Sequence, residues 1–203
     1  MSKLSVQNEF RVLQGLDVGD IDEEKRTVRL TGSSEYPVER LNYATGERYV
    51  EILSHDPADV DLSRMKDGGP VLDRHWGDQI AVIEEAAINA ERKVEYLIRF
   101  SDATERANAI FRDVVKKIRR NVSSGYSKLN IVKTEKIDGG RRSMHYFRWQ
   151  PFELSFEPVP ADPTVGVGRS LEASRRDIEF TESGNNDGKR AVSLIILTKK
   201  KEQ

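Results

Sequence analysis

Two alternating stretches, Gln79 to Ile88 and Lys93 to Phe100, are separated only by the polar tetrapeptide Asn89-Ala90-Glu91-Arg92. Strand side chains alternate between faces with a period of two, and so short a link can join only antiparallel neighbours, so this pair predicts a β-hairpin. Thr27 to Thr31, Arg48 to Leu53 and Tyr126 to Val132 alternate in the same way, which makes the chain mainly β. One helix interrupts the pattern. Asp102 is placed to cap its start, with Glu105 three residues on, and Ala107, Ile110, Phe111, Val114, Val115 and Ile118 share one face. Lys116, Lys117, Arg119 and Arg120 fall at the negative end of the helix dipole. The expectation is an α+β chain with one strong helix over about 102–120 that delivers the backbone to Asn121.

A length of 203 residues allows one substantial core, and one domain with a tail is the expected organisation. With 33% charged residues, a mean hydropathy of −0.62 and no apolar run near the roughly 20 residues that span a bilayer, no membrane helix is expected. Met1 to Glu9 lacks the apolar core of a secretory signal, and the absence of cysteine excludes disulfides, a thiol nucleophile and thiolate metal sites. The expected compartment is the cytoplasm. A net charge of −1 gives no global field that would recommend nucleic acid, so the basic runs Lys116 to Arg120 and Lys199 to Lys201 read as solvated charge.

Phe147 to Phe156 also alternates, but its apolar phase shifts at Pro151, which predicts a bulge or an edge position. Beyond it, Phe152, Leu154 and Phe156 are expected to face a core, with Glu153 and Ser155 together on the opposite face. Pro158, Pro160 and Pro163 then close the compact part, because a strand ladder cannot continue through them. From Val165 onward the chain reads as a peripheral tail or appended hairpin, with a flexible turn at Gly184 to Gly188 and a strand at Ala191 to Thr198.

The candidate chemistry lies in Asn121 to Tyr126, read as a serine turn after the helix, and in His75 of Val71-Leu72-Asp73-Arg74-His75-Trp76. A serine hydroxyl is a weak nucleophile at neutral pH and needs a nearby base, usually an imidazole. On its own, Ser123-Ser124-Gly125 is equally a helix-ending turn, and Glu153 is equally a solvent-facing strand residue. His55, in the proline-broken Ser54-His55-Asp56-Pro57, reads as a loop histidine beside a turn-capping aspartate, and His145, between Met144 and Tyr146, as a packing residue. Three dispersed histidines without an i, i+4 pair give no metal site, and no cofactor is implied.

Four blocks in order resemble the tailed-phage prohead protease family, the head-maturation serine proteases, which are similar in fold to the herpesvirus assembly protease. They are Tyr36-Pro37-Val38-Glu39-Arg40; Pro70 to His75; Val122-Ser123-Ser124-Gly125-Tyr126; and Glu153 to Pro163, with Arg99-Phe100-Ser101 before the helix. The resemblance implies a β-barrel with flanking helices over residues 1–165 and a tail over 166–203 that is open to self-cleavage. It implies a serine endopeptidase that cuts scaffold, or the scaffold-like arm of the major capsid protein, inside the procapsid in the bacterial host cytoplasm, with a homodimer plausible. In that scheme His75 is the general base, Ser123 the nucleophile, Glu153 the third member, and the Ser124 and Gly125 amides an oxyanion hole. Ser124 stands where the family usually has an apolar residue, which keeps a second hydroxyl in view as nucleophile, and the Gly-Arg that often follows the histidine block is absent. The alternative is a catalytically inactive capsid-assembly or scaffold-binding protein on the same fold. An esterase of the α/β-hydrolase type is poorly supported, since its serine sits between a strand and a helix and its histidine comes last.

Overall fold

The computed structural model describes residues 21–167, 178–184 and 190–196. Strands β1 (Ile21–Asp22), β2 (Thr27–Ser33), β3 (Val38–Leu41) and β4 (Arg48–Leu53) precede a single helical turn, α1 (Ser63–Lys66). Then come β5 (Pro70–Leu72), β6 (Gln79–Ile88), β7 (Val94–Phe100), α2 (Glu105–Val115), β8 (Val122–Ile137), β9 (Arg142–Phe156) and β10 (Gly166–Val167). The expected hairpin is present as β6 and β7, paired antiparallel from Ala81 opposite Phe100 to Ile88 opposite Val94. Beyond the sheet, β11 (Ile178–Gly184) pairs antiparallel with β12 (Arg190–Ile196). Residues 185 to 188 of the expected turn lie outside the described residues.

The main sheet runs β1-β2-β7-β6-β5-β9-β4-β3, with β10 added to β2 and β8 to β9. Strand β9 organises it. One of its edges takes β4 in parallel along Ser143 to Phe147 and β5 in parallel at Leu154 and Ser155, while the other carries β8 from end to end. The sheet curls into a half-barrel in which the start of β8 returns to β2, where the Ser124 hydroxyl donates to the Gly32 carbonyl at 3.1 Å. Val167 N–H donates to Arg120 O at 2.9 Å, so β10 also clips the entrance of β8 to β2.

Inside the curl lie Val28, Tyr96, Ile98, Phe100, Trp149 and Phe156, all 2% exposed or less. Removing a large apolar side chain from water contributes about 1.5–3 kcal/mol, so these rings and branched chains dominate the favourable side of folding. Helix α2 closes one end through Ala107, Ile110, Phe111 and Val114, and the Phe111 ring sits 5.1 Å from that of Phe100.

Three expectations change. The helix is shorter than 102–120, because Thr104 rather than Asp102 caps it, its hydroxyl accepting from Ala107 N–H at 3.2 Å. At the far end Lys117 has φ +58, which takes Arg119 and Arg120 out of the helix. The serine segment is not a turn, since the chain enters β8 at Val122. The break at Pro151 is real: Gly125 faces Glu153 and Tyr126 faces Pro151, leaving Phe152 as the extra residue of a bulge.

Candidate functional site

His75 is carried by a tight loop between β5 and β6. Asp73 N–H donates to Asp78 O at 2.9 Å, Gly77 N–H donates to Arg74 O at 3.0 Å, and Arg74 takes a positive φ of 71°. Gly77 is required, since a Cβ there would overlap the Asp73 carbonyl. The loop is tethered at two points, His75 and Asp73. The His75 backbone N–H donates to Glu157 Oε1 at 2.8 Å, and the buried Asp73 carboxylate accepts from Arg106 Nε of α2 and from an Arg119 guanidinium nitrogen, each at 2.7 Å. Burial alone would raise the Asp73 pKa, but these two arginines hold it below the ordinary carboxylate value.

The His75 ring meets β9. Its Nδ1 lies 2.6 Å from Glu153 Oε1 and 3.1 Å from Ser155 Oγ. With a carboxylate that close, Nδ1 carries the proton and donates, leaving the Nε2 lone pair directed away from Glu153 as an acceptor or base. The imidazole is half-exposed, whereas the Glu153 side chain is only 7% exposed. Burial pushes the Glu153 carboxyl up, and the hydrogen bond and charge of His75 offset this only in part. Its second oxygen, Oε2, is buried without a partner among the described residues.

Register brings the serines in. Ser123 pairs with Ser155 and Gly125 with Glu153, and directly opposed residues of an antiparallel pair share a face, so Ser123, Ser155, Gly125 and Glu153 gather under His75. Gly125 is the residue this crowding demands, because a Cβ there would lie against Glu153 Oε1 and 2.8 Å from Phe152 Cε2. No hydrogen bond joins the Ser123 hydroxyl to His75. Ser124 points to the opposite face and is spent on barrel closure through Gly32, beside the buried phenol of Tyr96.

Of the residues singled out from the sequence, His75, Glu153, Ser123 and Gly125 therefore converge, and Ser124 has a structural partner. The solvent-facing reading of Glu153 is corrected, because both it and Ser155 are buried, at 5% and 0% exposure. Sequence reasoning missed Ser155 as a site residue, although it lies two positions from Glu153 on the same face. His145 packs as expected, its ring 5.5 Å from that of Tyr49. Asp56 caps its turn as expected by accepting from Ala58 N–H at 3.0 Å. The neighbouring His55 lies in the loop after β4 as expected, but it is fully buried, with Nδ1 2.8 Å from Leu53 O and Nε2 2.9 Å from Ser33 Oγ. Among the described residues no cluster of three His, Asp or Glu side chains could hold a metal ion, and no helix is long and apolar enough to cross a membrane.

A cleft between β8 and the strands β2 to β4 is lined by Tyr36, Val38, Leu53 and Tyr126, with the β8 backbone at Ser123 and Ser124 along its wall. Deeper in it Glu51, 2% exposed, accepts from Arg40 Nε at 3.1 Å, from Lys128 Nζ at 2.8 Å and from the Tyr126 hydroxyl. Burial opposes ionisation of Glu51, yet these donors hold its pKa below the ordinary value. Burial, with Glu51 beside it, pushes the Tyr126 phenol up to about 12.

A relative of established name is similar to this chain: the major capsid protein of Halomonas phage phiHAP-1 is 42% identical over 158 residues, which is 76% of this chain. The chain spans only 25% of that relative's length. No family model matches the chain. No solved structure matches it either. The relative bears the name of a shell protein, not of a prohead protease. This corrects the identification with the prohead protease family, and with it the expected role as an endopeptidase that cleaves scaffold or the capsid-protein arm during maturation.

Proposed function

We propose that this chain is a capsid-assembly module, a curled β domain that takes part in building a phage shell and works in or on the procapsid within a bacterial host. The observation that carries this reading is the 42% identity to a major capsid protein over 158 residues. The architecture supports it, since a rigid half-barrel from which β8 and β9 project suits a body that positions other chains. The partner in this reading is the shell-forming polypeptide. Co-expression with the major capsid protein encoded alongside it tests the proposal: wild type and Ser123→Ala should sediment equally with assembled shells. A chain that stays at the top of the gradient with shells present refutes it.

The 2.6 Å contact between His75 and Glu153 favours a second reading, a serine-type hydrolytic centre within the same module, on a barrel similar to that of the herpesvirus assembly protease. Here Glu153 would orient the imidazole and His75 Nε2 would take the proton of Ser123, while the extended course of β8, in which neighbouring amides point to opposite edges, does not gather the Ser124 and Gly125 amides into one oxyanion hole. The substrate is unassigned. A fluorophosphonate probe tests this reading without one: an adduct on Ser123 that is lost in His75→Ala supports it, and no adduct on the folded wild type removes it.

A further inference from the structure

Strand β8 is 16 residues long, yet the barrel uses only its beginning. From Ser127 to Thr134 every residue is exposed, and among the described residues the edge turned away from β9 has no strand against it beyond the contact with β2 near Ser124. Leu129, Ile131 and Val132 are 49%, 48% and 42% exposed. An exposed strand edge presents unpaired N–H and C=O groups, and with apolar side chains beside it such an edge is a template for another strand.

The charge on this arm narrows what would add to it. Between Tyr126 and Gln150 stand six basic residues, Lys128, Lys133, Lys136, Arg141, Arg142 and Arg148, against only Glu135 and Asp138, in a chain whose net charge is −1. Lys128 is engaged by Glu51, Lys133 by Glu135 and Arg142 by Glu39 and Asp138, whereas among the described residues Lys136 meets only the Ser143 hydroxyl at 3.0 Å. A second copy of this chain laid edge to edge would set the lysines of one β8 near those of the other, and like charges on neighbouring strands are destabilising. Phosphates would meet the lysines but would leave the apolar side chains and the backbone edge unmatched.

We propose that the outer edge of β8 over residues 126–137 receives an extended, acidic, alternately apolar segment of the shell-forming polypeptide by β-strand addition. Main-chain hydrogen bonds supply register-tolerant attachment, Leu129, Ile131 and Val132 supply the apolar contact, and the basic arm selects the acidic strand. This inference rests on the capsid-assembly reading for the identity of the partner, and not for the existence of the edge.

The experiment uses the full chain and two capped synthetic decapeptides, one alternating valine and glutamate and the other valine and lysine. Fluorescence anisotropy gives affinity, amide hydrogen exchange locates the contact, and sedimentation velocity reports self-association. The acidic peptide is expected to bind at least about tenfold more tightly than the basic one and to slow exchange across residues 126–137. The exposed double variant Leu129→Ser, Ile131→Ser, which removes the apolar contact without changing the charge, checked for an unchanged melting curve, should lose that binding. Equal affinity for both peptides, protection elsewhere, tighter binding of a short DNA duplex, or dimerisation abolished by the double variant each overturns the proposal. Shell recruitment separates the two failures. A double variant that still sediments with shells sinks the edge proposal alone, whereas peptide capture by a wild type that never joins shells sinks the capsid reading.

Discussion

Gly125→Ala probes the pairing of β8 with the His75 site through a single methyl group. The added Cβ would lie 2.9 Å from Glu153 Cδ and 2.8 Å from Phe152 Cε2, and closer still to Oε1. Glu153 cannot yield freely, because it is 5% exposed and held by the His75 imidazole, so much of the strain falls on its carboxylate. Overpacking of this kind costs about 1–3 kcal/mol, and turning the carboxylate away from His75 forfeits a hydrogen bond to a charged group that contributes about 1.5–3 kcal/mol. The two losses overlap, so a net destabilisation of about 2–4 kcal/mol is expected. For a domain of this size that is a fall of roughly 5–15 °C in Tm. The assay pairs thermal unfolding with proton NMR of the imidazole Nδ1–H, whose low-field signal should disappear with the Glu153 contact. Gly139→Ala is the control: nothing lies within 4 Å of its Cβ, and only its φ of 64° is offended, at about 1 kcal/mol and with no effect on His75. A Gly125→Ala protein that melts with wild type and keeps the Nδ1 signal would refute the placement of Glu153 beneath His75.

Asp73→Asn is expected to cost about 1–3 kcal/mol, since it strands Arg106 and Arg119 beside a buried amide while both arginines still reach solvent. The Asp73 pKa is depressed in the fold, so its contribution is present above the usual carboxylate value and is lost as pH falls through the lowered one. Urea melts should therefore show the gap between wild type and Asp73→Asn closing below about pH 4, and a gap that widens on acidification would contradict the assignment. Glu51→Gln removes the acceptor shared by Arg40, Lys128 and Tyr126 and should destabilise by about 3 kcal/mol in chemical denaturation; a loss below about 1 kcal/mol would mean the network is not closed. Ser33→Ala leaves the buried His55 Nε2 without its partner at a cost of about 1–3 kcal/mol, read from the denaturation midpoint. Burial lowers the His55 pKa, so unfolding should take up a proton and wild-type stability should decline as pH falls below about 6.5; a folded-state His55 carbon shift that titrates at or above that value would contradict this.

What the sequence revealed and what it concealed divide along the range of the interactions. The β6–β7 hairpin was legible because its period and its link lie within 22 consecutive residues, and the bulge at Pro151 because proline announces itself locally. Glu153 and Ser155 read as a solvent face because a polar pair on alternate positions normally is one. Here that face is covered by the His75 loop, which arrives from 78 residues upstream in the Glu153 contact. The serine segment reads as a turn for the same reason, since the forces that hold it extended, Ser124 on Gly32 and Gly125 beneath Glu153, come from strands distant in sequence. The helix lost its last turn to a competing long-range partner. Arg119 would have favoured the helix dipole by a few tenths of a kcal/mol, but outside the helix it reaches the buried Asp73 carboxylate, and a partly buried ion pair outweighs a screened dipole. The same ion pair fixes the loop that presents His75. The departure from helical pattern at Lys117 is thus part of how the site is built: the residues that ended the helix early are those that connect it to the histidine.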